Sequence, residues 1–332
     1  MGQPNMSLTI SISFCSKSTK SLITSLHLHL QSFHVHIEDS IEISVRFTDH
    51  TDLTFEFYED KPVEERRMII DPPEVVEVIH DGPVYRREGY WQRPGYSMRQ
   101  WVDHLFQVMH YSKFDEICFN VVEDHLELET IDAFVNGIDI KALNITRTFS
   151  PTYFLRILQK FPSVKQLHVS QNPFKLCPSE QQKILIQNYD ILKLQSRRVD
   201  QIWENFTLDD LLIINSRRVL ITTENFTNKN LNQFLKHWIK GSNPRLEFLH
   251  IQSRNVSMYD AEIALKGIRH EERKSPPRDK ILDECIQLDP GEQLNGVQGI
   301  DIRRGTDESV ATLQVIDNKE GIEFQFVVWH ED

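Results

Sequence analysis

One apolar pattern recurs along the middle of the chain and limits its possible folds more than any other feature. Six segments read apolar-x-x-apolar-x-apolar: Phe114/Ile117/Phe119, Ile140/Leu143/Ile145, Val164/Leu167/Val169, Tyr189/Leu192/Leu194, Leu208/Leu211/Ile213 and Leu246/Leu249/Ile251. Their central residues are 26, 24, 25, 19 and 38 positions apart. A short unit repeated at such intervals cannot bury its apolar face alone and must stack on its neighbours. The stretch Leu167-His-Val-Ser-Gln-Asn172-Pro-Phe174 takes the fuller form L-x-L-x-x-N-x-L. Helical stripes fall between the segments. Ser150-Pro151 opens one with Phe154, Leu155 and Leu158, and Leu231, Phe234, Leu235, Trp238 and Ile239 form a second, closed by Gly241 and Pro244. Ser257 starts a third, with Asp260 in a capping box. Strands alternating with helices at this spacing predict parallel pairing. The expected fold is α/β: an irregular leucine-rich-repeat-like parallel solenoid. An ordinary doubly wound sheet fits less well, because the same strand pattern recurs at near-constant spacing.

Both ends change period. Phe33/Val35/Ile37, Ile41/Ile43/Val45/Phe47 and Leu53/Phe55/Phe57 alternate with polar residues, which predicts an N-terminal antiparallel meander with one buried face. Ile300/Ile302, Val310 to Ile316 and Ile322 to Val328 predict a second meander at the C-terminus. A solenoid needs its terminal faces covered, and the meanders are suited to cover them. Before the first meander, residues 14–26 read as one short amphipathic helix with Leu22, Ile23 and Leu26 on a common side. Residues 59–95 are rich in charge, Pro and Gly and read as a long loop, as do residues 269–280. Ser97 caps a helix carrying Met98, Trp101, Val102, Leu105 and Met109.

Charge and composition exclude several functions. The 332 residues hold 37 Lys+Arg against 49 Asp+Glu, a net charge of −12, which argues against a partner read through its phosphates. No run approaches a membrane span, and residues 8–14 lack the basic flank and cleavage site of a secretory signal. Four widely spaced cysteines (Cys15, Cys118, Cys177, Cys285) form neither a disulfide scaffold nor a thiolate zinc site, so a cytoplasmic or nuclear location is expected.

Catalytic chemistry finds no support either. Nucleotide-binding, metalloprotease and nucleophile-elbow motifs are all missing. His27, His29, His34 and His36 fill the polar half of alternating patterns, which solvated strand histidines explain better than a metal. Glu123 and Asp124 are adjacent and would not face a common substrate, and Cys177 has no activating base in view. A non-enzyme without metal or cofactor is the expectation. A solenoid instead offers a surface. Residues between core positions point the other way along each strand. Asn144, Thr146, His168, Ser170, Lys193, Gln195, Phe248, His250 and Gln252 would then line a concave face suited to a protein partner.

Two stretches carry a family resemblance. LNQFLKHWIKGSNPRLEFLHI (231–251), followed by ALKGI (264–268), IDIRRGTDESVATL (300–313) and FQFVVW (324–329), resembles the F-box-associated type 2 domain of the large nematode F-box protein family. ISFCSKSTKSLITSL (12–26) is similar to the last helix of that family's F-box. The resemblance implies a substrate-recognition subunit of a Skp-cullin-F-box ubiquitin ligase. The F-box would hold a Skp-type adaptor and the associated domain would capture a target protein. Phe14, Cys15, Lys17, Leu22 and Ile23 are the implied adaptor contacts. The implied organisation is an F-box remnant at 1–27, a meander and loop at 28–96, the associated domain at 97–268, a charged loop at 269–290 and the terminal meander at 291–332. Residues 8–26 cover less than half of an F-box, so weak adaptor binding is expected. A stand-alone interaction module without ligase coupling is the alternative.

Overall fold

The computed structural model describes residues 6–58, 72–82, 86–120, 128–195, 203–254, 258–273, 299–318 and 321–329, other than 39, 148–149, 176, 204 and 225. The chain is α/β with mixed parallel and antiparallel pairing, and it divides into two compact units, residues 1–164 and 165–332.

The first unit opens with helices α1 (Met6–Ser13) and α2 (Lys17–Thr24). They replace the single helix expected over 14–26, because Ser16 stops the chain and restarts it. Its hydroxyl accepts from the Thr19 amide at 3.1 Å and Thr19 Oγ1 accepts from the Ser16 amide at 2.9 Å, a capping box. The meander follows as β1 (Leu30–Ile37), β2 (Ile41–Phe47) and β3 (Asp52–Tyr58), with the expected alternating residues buried. Two further strands, β4 (Val75–Asp81) and β5 (Arg86–Trp91), lie where a loop was expected. Val76 and Val78 alternate inward there, which outweighs the flanking Pro and Gly. Helix α3 (Met98–Met109) starts at Ser97 as anticipated. Then come β6 (Lys113–Phe119), α4 (Leu128–Val135), β7 (Asp139–Ile145) and α5 (Pro151–Lys160). The strand order is β7-β6-β1-β2-β3-β4-β5, with β1 parallel to β6 and antiparallel to β2. The meander thus extends an edge of the parallel pair. Aromatic rings fasten α3 to the strands: Trp101 meets Phe57 at 5.8 Å, and Phe106 meets Phe33 at 4.8 Å and Phe114 at 5.3 Å.

The second unit comprises β8 (Gln166–Val169), α6 (Pro178–Leu185), β9 (Ile191–Leu194), α7 (Leu208–Ile213), β10 (Arg218–Thr223), α8 (Asn228–Ile239), β11 (Phe248–Ser253), α9 (Ala261–Ala264), β12 (Glu271–Arg273), β13 (Gly299–Arg303), β14 (Val310–Asn318) and β15 (Gly321–Trp329). The order is β12-β13-β14-β15-β11-β10-β9-β8. Strands β8 to β11 are parallel and successive, and the terminal meander joins antiparallel through β15. The segment Leu208/Leu211/Ile213 is not a strand. Thr207 and Asp210 cap it as helix α7, and the missing strand is β10. In register, Leu167, Leu192, Val219 and Leu249 are neighbours, at intervals of 25, 27 and 30 residues. The true period is therefore steadier than the sequence pattern implied. The third expected helix shifts too. Ser257 lies outside the described residues, and Asp260 itself caps α9 by accepting from the Ile263 amide at 3.1 Å.

Candidate interaction surfaces

Within the second unit one sheet face is covered by helices. Phe326 of β15 takes Phe234 and Trp238 of α8 edge-on, at 5.6 and 5.0 Å, and Phe324 takes Phe226 at 5.9 Å. The opposite face is read by alternation. There, cross-strand register sets His168, Lys193, Leu220, His250 and Gln325 in one row across five strands. Thr222, Gln252 and Glu323 form the next row. His250 Nε2 lies 3.1 Å from the Glu323 carboxylate, and the Thr222 hydroxyl donates to Gln252 Oε1 at 3.2 Å. On the same face Leu220 joins Ile191, Phe248 and Val327 in a buried apolar cluster, with Trp329 packed against it.

The structure therefore brings His168, Lys193, His250 and Gln252 onto one face, as the sequence suggested. Phe248 is a correction. It lies on that face but is fully buried, because Ile191 and Val327 close over it from strands distant in sequence. Asn144 of β7 and Thr146 just after it belong to the first unit. There Asn144 Nδ2 donates to Glu116 at 3.3 Å and the Thr146 hydroxyl to Asn120 at 2.7 Å. Sequence reasoning missed Leu220, Thr222, Glu323 and Gln325. The β-branched run Val219-Leu-Ile-Thr-Thr223 was the available signal for the first two.

The second candidate surface is the outer side of α1 and α2. Both helices are fastened to α3 from within. The Ser13 hydroxyl donates to Ile10 O at 2.6 Å and accepts from His104 Nε2 at 2.7 Å. This buried pair is a latch between α1 and α3. Phe14 stacks on His104 at 3.7 Å and packs against Trp91, Tyr96 and Trp101. Burial, with Lys20 and Arg93 adding repulsion, pushes the His104 imidazole down to about 3. At the other end His110 Nε2 donates to Thr24 O at 2.8 Å. Of the five implied adaptor contacts, Phe14 and Ile23 thus turn inward, whereas Cys15, Lys17 and Leu22 face solvent. Leu22 and Leu26 face solvent. They are 61% and 53% exposed, beside Leu8 at 58% and Ile12 at 37%. These four are exposed large apolar residues of the first 26 positions among the described residues.

No group of three His, Cys, Asp or Glu among the described residues converges as a metal site. Glu123 and Asp124 lie outside the described residues. No described helix is long and apolar enough to cross a membrane.

Residues 180–251 match a family model described as F-box associated. That stretch is thus similar to an F-box associated region. The chain is 26% identical over 160 residues to the F-box associated domain-containing protein sdz-33 of Caenorhabditis elegans, a match covering 48% of this chain and 47% of that protein. The chain thus spans about half the length of this relative. No solved structure matches.

The matched stretch contacts a later part of the chain through its turn residues. After α8, Gly241 (φ 102°) and Asn243 (φ 49°) turn the chain through conformations that favour glycine and asparagine. Asn243 Nδ2 then donates to Leu211 O and Ile214 O, both at 2.9 Å, tying this turn to the end of α7. The Arg304 guanidinium lies 4.4 Å from the Trp238 ring and donates to Asn243 O at 3.4 Å, while the Gly305 amide donates to Ile239 O at 2.9 Å. The W-x-x-G-x-N-P stretch (238–244) and the later I-R-R-G stretch (302–305) are therefore one module in space. These residues build the scaffold that joins α8, the end of α7 and the turn after β13.

Proposed function

We propose that this chain is a non-catalytic substrate-recognition subunit of a Skp-cullin-F-box ubiquitin ligase, cytoplasmic or nuclear. On this reading α1 and α2, within residues 1–27, are the remnant of an F-box. Their outer face meets a Skp-type adaptor, which links to the cullin. The strand–helix units of residues 97–268 act as an irregular leucine-rich-repeat-like solenoid, and the row through His168, Lys193, His250 and Gln252 receives the target protein. Residues 28–96, 269–290 and 291–332 are the intervening meander, loop and terminal meander.

The observation that supports this reading is the exposure of Ile12, Leu22 and Leu26 in and just after α1–α2, in a chain whose residues 180–251 match an F-box associated family model. Residues 1–37 contain Lys17 and Lys20 but no Asp or Glu, so the face suits an adaptor with acidic and apolar groups. The test is retention of a purified Skp-type adaptor by the full chain, beside a Leu22→Asp/Leu26→Asp variant. Both positions are solvent-facing, so the variant should unfold thermally like the parent while losing the adaptor. Phe14 and Ile23 are occupied inside the fold, which favours a second reading, a stand-alone interaction module. If the parent chain retains no adaptor, that second reading replaces the first.

A further inference from the structure

The outer face of α2 carries serines as well as leucines. Positions three and four apart share a helix face. Ser18, Ser21, Leu22, Ser25 and Leu26 therefore fall together, and all five are exposed. Thr19, Lys20, Ile23 and Thr24 form the less exposed side.

The hydroxyl groups here divide into two sets. Ser11 donates to Leu8 O at 2.8 Å, Ser13 is held by the latch, and Ser16 and Thr19 cap each other. Thr24 donates to Lys20 O at 2.8 Å and Ser25 to Leu22 O at 2.6 Å. Of the hydroxyls of α2, those of Ser18 and Ser21 alone are without a hydrogen bond among the described residues, although the Ser21 carbonyl accepts from the Ser25 amide. The same two serines follow lysine directly: Lys17 precedes Ser18 and Lys20 precedes Ser21, with Lys17 four positions before Ser21. No carboxylate occurs anywhere in residues 1–37.

We propose that Ser18 and Ser21 are phosphorylation sites for a kinase that selects lysine on the N-terminal side of serine, and that phosphate there switches off docking on the α1–α2 face. The second half rests on the adaptor reading above. In the transfer, the serine Oγ forms a bond to the γ-phosphorus of ATP as the bond to the β,γ-bridging oxygen breaks. ADP leaves, and the hydroxyl proton passes to the kinase's base. Helix α2 has eight residues, below the length at which a helix holds by itself, and Ile23 is its buried residue. It can open locally to enter a kinase cleft. Once added, each phosphate brings a charge of about −1.5 to −2 next to Leu22. Lys17, four residues before Ser21, is placed to pair with that phosphate, so the helix survives while its outer face becomes anionic. An acidic, apolar partner surface is then repelled and cannot be desolvated against it.

The test uses the full chain, treated with Mg-ATP and a lysine-directed basophilic serine/threonine kinase, and a parallel preparation with phosphoserine incorporated at 18 and 21 during expression. Fragment mass spectrometry should place phosphate on Ser18 and Ser21, with none on Ser16, Thr19 or Ser25. Ser18→Ala/Ser21→Ala should abolish uptake in this segment. The phosphoserine chain should retain at least tenfold less Skp-type adaptor than the unmodified chain. Phosphate spread equally over the bonded hydroxyls, or absent from the segment, overturns the sites. Equal adaptor retention by both forms overturns the switch. If the unmodified chain retains no adaptor, the docking reading and the switch fall together, and the phosphate map alone decides the sites.

Discussion

At the residue scale, His104 is the group whose chemistry the fold alters most visibly. It is buried against Phe14 and donates to Ser13, and burial holds its imidazole neutral down to about 3. In the unfolded chain the same group takes up a proton near the ordinary imidazole value, about 6.5. Below that value the unfolded state therefore binds more protons than the folded state, so stability is complete above it and drains as pH falls. Burial lowers His34 and His80 in the same direction. We expect the urea midpoint to fall between pH 6.5 and 5, with His104 contributing on the order of 0.5–1 kcal/mol per pH unit. His104→Phe keeps a ring against Phe14 and removes the proton site. Its midpoint should fall less steeply over that window, His34 and His80 remaining. An unchanged slope would place the titrating group elsewhere.

At the scale of elements, five of the six repeat segments are strands, and the exception shows what an apolar spacing cannot decide. Residues three apart share a helix face as readily as the first two core positions of the repeat, so Leu208 and Leu211 satisfy both patterns. Thr207, three residues before Asp210, was the sequence signal for a helix, and Thr207 Oγ1 accepts from the Asp210 amide at 3.2 Å. Phe14 and Phe248 were misread for a different reason. Their burial is made by Trp101 and His104, and by Ile191 and Val327, which no local pattern connects to them. The rows facing away from the helices were legible wherever the strand itself was found. Thr207→Ala should cost about 1 kcal/mol through loss of the cap. A restoring Thr207→Ser or Thr207→Asp should recover most of the denaturation midpoint. If Thr207→Ala unfolds like the parent, the capping box is not what selects helix over strand here.

At the scale of the whole molecule, charge is unevenly spread. Residues 1–37 carry Lys17 and Lys20 alone, a charge of about +2. The chain as a whole is at −12, so the remaining residues sum to −12 − 2 = −14. An acidic partner approaching such a chain is repelled by most of its sequence and attracted by this stretch, which biases encounters toward the α1–α2 face. Lys17 is exposed, so Lys17→Glu reverses a charge there without entering the core. We expect adaptor association with this variant to slow several-fold at about 50 mM salt. The difference should shrink toward nothing near 0.5 M, where screening confines charges to a few ångströms. Dissociation should change little, because steering charges act mainly on the approach, whereas the proposed docking assigns the hold on the partner to Leu22 and Leu26. Identical association rates for parent and variant at low salt would show that the apolar leucines alone select the partner and that the missing carboxylates of residues 1–37 play no part in docking.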